Sequence, residues 1–304
     1  MIKLKTLPEL LCHFVFKLVR FLDSRNRKLS SRIVAGTQAD GFWRPWEEPG
    51  TEPRKDPIPW QVGIFSHKRN HIFCGGALLS NTHILTAAHC RELFDPEEDY
   101  IIRGTADRKE RGNEYIHKIA TRVEVHPLYT EFRNNEINFC LYDFMLLFLL
   151  KPLSLSDSSF ARLPPPSFDE DFLNGKSLFM SGWGSTMQVT RTQVINFVKN
   201  GIPIPRKYPD RLQFVEIPYL PNRICQNRHR NFFIKYGEVK ASPGSAFDIR
   251  VKDIDFDKEP GLSMFCTSMC TKEDLSTCPR VHAPKGNCIG DSGGKLIPPI
   301  KDIR

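Results

Sequence analysis

Short apolar runs bounded by turn residues recur through the first half of this chain. Gln61-Val-Gly-Ile-Phe65, Gly76-Ala-Leu-Leu-Ser80, His83-Ile-Leu-Thr86 and Thr121-Arg-Val-Glu-Val125 each read as a strand. Many short strands at close spacing predict an all-β sandwich or barrel. Phe144-Met-Leu-Leu-Phe-Leu-Leu150 is apolar without a break and reads as a buried strand or core segment. A second β-rich part carries Lys176-Ser-Leu-Phe-Met-Ser-Gly182 and Leu212-Gln-Phe-Val-Glu-Ile-Pro218.

Punctuation divides the chain. Residues 1–32 form a basic leader ending in Ser30-Ser31-Arg32, and residues 42–59, rich in proline and charge, read as a surface loop. Leu153 to Phe168 is polar, contains Pro164-Pro-Pro, and reads as a linker between two halves. The stretches 187–209 and 227–262 show no period and are read as irregular. There is no internal repeat.

The balance of 43 basic and 35 acidic residues gives a net charge of +8. No basic stripe with interleaved aromatics accompanies it, so a nucleic-acid partner is not expected. A basic solvated surface is the simpler reading. No run of about eighteen apolar residues is present, so no membrane span is expected. Nine cysteines among 304 residues point to an oxidising compartment and secretion. The first residues make a poor signal peptide, because His13, Lys17 and Arg20 interrupt the apolar stretch. Cys266-x-x-x-Cys270 has roughly ligand-like spacing, but no matching pair follows, so zinc is not expected.

Three segments carry chemistry. In Leu85-Thr-Ala-Ala-His89-Cys90, a histidine adjoins a cysteine and follows small residues that permit tight backbone packing. A catalytic base needs such fixed placement. In Tyr142-Asp143-Phe-Met-Leu-Leu147, a carboxylate meets a wall of apolar residues. Such a group is either a strand-edge Asp in solvent or a buried Asp that orients an imidazole, since burial unpaired is costly. In Gly286-Asn-Cys-Ile-Gly290-Asp-Ser292-Gly-Gly294, glycines flanking a serine permit a tight turn that exposes its Oγ and converges N–H groups. The run Gly290 to Gly294 also matches the G-x-S-x-G elbow, but that arrangement needs a histidine after the serine, and residues 293–304 contain none.

The order His89, Asp143, Ser292 is that of the chymotrypsin-type triad. With these motifs the chain resembles the trypsin/chymotrypsin-like serine proteases over residues 33 to about 297. Arg32-Ile33-Val-Ala-Gly36 looks like the activation site. Pro59-Trp-Gln-Val62, His126-Pro-Leu-Tyr129, Gly182-Trp-Gly184, Leu212-Gln213, Cys225 and Met264-Phe-Cys266 follow in the family's order.

The resemblance implies two antiparallel six-stranded β-barrels, with a first barrel over about 33–152, the linker over about 153–168 and a second barrel over about 169–304. It implies a zymogen cut after Arg32, with the new Ile33 ammonium paired to Asp291. It implies an oxyanion hole from the N–H groups of Gly290 and Ser292, and Gly286 at the base of the specificity pocket. Disulfides Cys74–Cys90 and Cys225–Cys266 are implied, and Cys270–Cys278 is a further expected pair; Cys12, Cys140 and Cys288 stay unassigned. No metal or organic cofactor is needed. The partners implied are protein or peptide substrates, an activating trypsin-like protease and protease inhibitors.

Some positions depart from the family. Lys295 stands where Pro is usual, and Tyr142 where Asn usually precedes the Asp. Loops 40–57, 187–208, 227–260 and 267–285 are longer. The family's last strands and C-terminal helix have no counterpart after Ser292, so the second barrel is expected to be incomplete. Residues 33–304 alone are then expected to fall short of a stable, active enzyme. The contrasting readings are a catalytically inactive homologue serving as a binding module and a non-functional fragment.

Overall fold

The computed structural model describes residues 37–38, 58–109, 112, 115–134, 138–156, 159–163, 173–185, 200, 208–221, 223–225, 227, 234–255 and 296–297. In chain order the strands are β1 Thr37–Gln38, β2 Gln61–Ser66, β3 His71–Leu78, β4 His83–Thr86, β5 Tyr100–Arg103 and β6 Ile116–Val125. They continue as β7 Thr130–Arg133, β8 Asn138–Leu141, β9 Met145–Leu149, β10 Ser177–Gly182, β11 Gln213–Pro218 and β12 Leu296–Ile297. The all-β expectation holds. Six strands close into an antiparallel barrel in the order β2-β3-β4-β9-β6-β5. A four-stranded sheet has the order β1-β11-β10-β12, and β7 and β8 form a hairpin.

The apolar run at 144–150 is explained by burial on both faces of β9. Side chains alternate along a strand. Met145, Leu147 and Leu149 enter one core with Val62, Ile64, Leu78, Ile84 and Ile101. Phe144 and Leu146 point the other way, against Ala77, Leu85 and Ala161. The segment read as a linker helps to cover that second face, since Ala161 N–H donates to the Leu78 carbonyl at 2.7 Å.

A third cluster joins the barrel to the four-stranded sheet. Phe65, Ile72 and Ile102 pack there with Trp183 and Leu212. Polar bonds cross the same seam. Ser181 Oγ donates to Gln61 Oε1 at 2.8 Å in a buried contact. Leu212 N–H donates to the Ala106 carbonyl at 2.7 Å, and Arg108 N–H to Asp210 O at 2.9 Å. The buried Ser181–Gln61 bond matters more than an exposed one, because a buried polar group without a partner costs about 1–3 kcal/mol.

The described part of 227–262 is mostly irregular, with a 3-10 helix at Val251–Asp253 and an isolated bridge between Lys240 and Arg250. Residues 234–255 fold back on themselves and dock on the β7–β8 hairpin. Val251 N–H donates to the Val239 carbonyl at 2.9 Å, and Ala241 N–H to Ile249 O at 2.8 Å. Val251 and Ile254 bury themselves against Phe132 and Leu141.

Gly76 sets the spacing between β2, β3 and β4. A Cβ at this position would lie 2.9 Å from both Val62 Cγ2 and Ile84 Cγ2, and 3.1 Å from the Leu85 carbonyl. Overpacking of this kind typically costs about 1–3 kcal/mol. Gly76→Ala is therefore expected to lower the stability read from a urea midpoint by that amount, and an unchanged midpoint would contradict the packing described.

Candidate active site

Two loops leave the barrel side by side. β4 pairs with β9 so that Thr86 lies opposite Met145. His89 follows β4 by three residues, and Asp143 precedes β9 by two, so the register delivers both to one end of the ladder. His89 sits in the 3-10 helix Ala88–Leu93, anchored by buried Ala88 and Cys90. Cys90 is joined to Cys74 on β3, as the resemblance implied. By the chain-entropy argument, a crosslink over 16 residues contributes about 3 kcal/mol.

The Asp143 carboxylate accepts two bonds from one residue. His89 Nδ1 lies 2.6 Å from Oδ2, and the His89 main-chain N–H donates to Oδ1 at 2.8 Å. An ionised carboxylate only accepts, so Nδ1 carries the ring proton and Nε2 is the free basic nitrogen. The side chains of His89 and Asp143 are 30% and 18% exposed, so the pair is neither dry nor fully screened. Burial alone would lower the His89 pKa, but the hydrogen bond and charge of Asp143, aided by Glu131, outweigh it and hold the imidazole above its ordinary value.

Backbone strain lies next to this pair. Tyr142 has φ of 51°, in the left-handed region that Asn and Gly tolerate best. This accounts for the family's Asn at that position. The tyrosine is held there by its ring, which stacks on His126 with centroids 5.3 Å apart. His126 in turn meets Phe144 edge-on at 5.3 Å, and its N–H donates to the Phe144 carbonyl at 2.9 Å.

Sequence reasoning missed the neighbours on the hairpin. Glu131 is buried, opposite Cys140 in the β7–β8 register. Arg133 Nη2 lies 3.0 Å from Glu131 Oε1, in an ion pair that lacks the direction of a hydrogen bond. Burial pushes the Glu131 carboxyl up, and Arg133 opposes the shift. Cys140, left unassigned by the sequence, is a free thiol 3.6 Å from the Tyr129 hydroxyl. Its pKa is pushed up to about 12 by burial and by the Asp143 charge. No pattern in the sequence marks these contacts, because they join strands through tertiary pairing.

Cys225 is disulfide-bonded. Its expected partner Cys266 lies outside the described residues, as do Arg32, Ile33, Gly286, Gly290, Asp291 and Ser292, and also Cys12, Cys270, Cys278 and Cys288. Among the described residues, Cys74, His89 and Cys90 are a cluster with metal-like spacing. Its two sulfurs are joined to each other, so neither is a free thiolate. Among the described residues no helix is long and apolar enough to cross a membrane.

A group whose pKa rises on folding contributes stability that is full below its unfolded value, here about 6.5, and that is lost as pH rises through the folded value. The stability advantage of the wild type over Asp143→Asn is therefore expected to be full below about pH 6.5 and to shrink as pH rises above it. Urea midpoints measured on both sides of that pH test this; an advantage independent of pH would mean that the imidazole gains nothing from the carboxylate.

Comparison with known proteins agrees with the fold. The trypsin family model matches residues 49–244, more than half of the chain. Mouse (Mus musculus) kallikrein 1-related peptidase-like b4 is 30% identical over 176 residues, covering 56% of this chain and 59% of that protein. Mouse kallikrein 1-related peptidase b11 is 29% identical over 88% of this chain and 76% of its own length. Mouse tryptase is 24% identical over 90% of this chain and 81% of its own length. The chain belongs to the trypsin family of serine proteases.

Proposed function

We propose that the chain is a secreted serine endopeptidase, made as a zymogen, with His89, Asp143 and Ser292 as its triad. The observation that carries this reading is the imidazole–carboxylate pair, with Nδ1 2.6 Å from Oδ2 and both carboxylate oxygens engaged by His89. The pair fixes a tautomer with Nε2 free, which is the state a general base needs. Ser292 enters from the sequence, in Gly290-Asp-Ser292-Gly-Gly294.

In this mechanism Nε2 takes the Ser292 hydroxyl proton while Oγ bonds to the scissile carbonyl carbon. The carbonyl oxygen gains the negative charge, and the N–H groups of Gly290 and Ser292 receive it. One such donor is typically worth about 10²–10³ in rate. His89 then gives its proton to the leaving amine, and the acyl-enzyme forms. Water repeats the sequence to release the acid. Asp143 stays ionised and stabilises the imidazolium throughout. The disulfide at Cys90 supports secretion, since such bonds persist in oxidising compartments.

Activation is assigned to cleavage after Arg32, with the freed Ile33 ammonium turning inward to Asp291; a buried ammonium needs such a partner. After limited trypsin treatment, the new N-terminus is expected to read Ile-Val-Ala-Gly, and a fluorophosphonate probe is expected to label Ser292. Ser292→Ala removes the label and lowers kcat by about 10⁶. An uncut Arg32→Gln form with equal labelling would refute the zymogen, and a cleaved wild type that resists the probe would refute the triad.

Gly286 is assigned to the base of the specificity pocket. It offers no charge for a Lys or Arg side chain, and Lys285 beside it opposes one. Cleavage of a peptide library is expected after apolar or aromatic residues. Cutting mainly after Lys or Arg would overturn that assignment.

A further inference from the structure

The hairpin β7–β8 brings a second carboxylate to the His89 site, and three contacts hold it there. First, Glu131 and Arg133 form an ion pair at 3.0 Å. Second, Arg133 Nη1 donates to Glu92 Oε2 at 2.7 Å. Glu92 lies three residues after His89 in the same 3-10 helix. Residues three apart eclipse in that geometry, so His89 and Glu92 share a face. The guanidinium therefore bridges the helix that carries the imidazole to the strand that carries Glu131. Third, both main-chain groups of Glu131 are tied to the docked segment. Ser242 N–H donates to Glu131 O at 2.6 Å, and Glu131 N–H donates to Ser245 Oγ at 2.9 Å.

We propose that Glu131, clamped by Arg133 and by the 242–245 turn, is a positioning residue of the His89 site, acting on the imidazole through its charge and not by contact. The role rests on the reading of His89 as the general base. A carboxylate held in a partly desolvated place acts on a neighbouring charge more strongly than one in solvent. Among the described residues, the other titratable groups near the ring are accounted for. Asp143 bonds it directly. Tyr129 and Cys140 are both pushed up by burial and stay neutral. Arg133 acts against Glu131, and Glu92 and Arg91 lie exposed on the same short helix. Arg133 thus opposes the upward push of burial on the Glu131 carboxyl, while its own charge partly offsets the effect of Glu131 at the ring.

The docked segment gains a purpose in this arrangement. Its turn fixes the main chain at Glu131, the acidic residue of β7 whose charge bears on the imidazole. Residues 234–255 of the longer loop then support the site from behind the hairpin.

The test is an NMR titration of the His89 ring in the full chain, which needs no turnover. Glu131→Gln keeps the shape and removes the charge, leaving Arg133 with Glu92 as its acidic partner. The His89 midpoint is expected to fall. The double variant Glu131→Gln/Arg133→Gln removes the opposing cation as well, and the midpoint is expected to return part of the way. A merely structural clamp predicts otherwise, because removing both partners loosens the hairpin further and moves the midpoint further from the wild type. An unchanged midpoint in the single variant, or a further fall in the double, overturns the proposal. Fluorophosphonate labelling is read separately, so failure of the protease reading would leave this titration interpretable.

Discussion

Everything at the site depends on the antiparallel register between β4 and β9. With Thr86 opposite Met145, the residues beyond each strand end meet across the ladder, and a carboxylate reaches both the ring and the main chain of one histidine. A slip of one residue would turn every side chain to the opposite face. Met145 and Leu147 would then leave the barrel interior, and His89 would lose its partner. Core packing and site geometry are thus held by the same constraint. The Cys74–Cys90 bridge reinforces it from the β3 side.

The second organising feature is edge coverage. A two-stranded hairpin is marginal in water, and its free edge invites pairing with other chains. Here β7 is covered by residues 242–246, through the bonds to Glu131 and through Ala246 N–H, which donates to Tyr129 O at 2.9 Å. Phe132 and Leu141 gain the apolar partners that a bare hairpin would lack. Long insertions are tolerated thermodynamically because loop-closure entropy grows slowly with length. This one also buries apolar surface, which offsets part of the ordering cost.

Much of the barrel was legible in the sequence. The run 144–150 announces β9 because both of its faces are buried, and 176–182 and 212–218 announce β10 and β11 for their apolar content. His89 and Asp143 stand out by their immediate neighbours. What escaped was structure made by distant partners. β1 has two residues and exists only through pairing with β11. Thr130–Arg133 is too short and too polar to signal a strand, and its identity comes from β8 and the docked segment. Tyr142 was visible as an unusual residue, but its positive φ and its stack on His126 arise only from tertiary packing. The bridge from Glu92 through Arg133 to Glu131 joins a helix to one strand, β7, and no local period connects the two.

The free thiol of Cys140 carries a consequence for how the chain matures. Disulfide exchange proceeds through the thiolate, and an ordinary cysteine near pKa 8.5 is a few per cent thiolate at neutral pH. With its pKa pushed up to about 12, Cys140 in the folded chain is ionised only to roughly one part in 10⁵. An oxidising compartment therefore offers it little chance to attack the Cys74–Cys90 bond or to capture a stray thiol. Burial beside Asp143 makes folding itself the quenching step: once the hairpin closes, Cys140 leaves the pool of exchanging sulfurs.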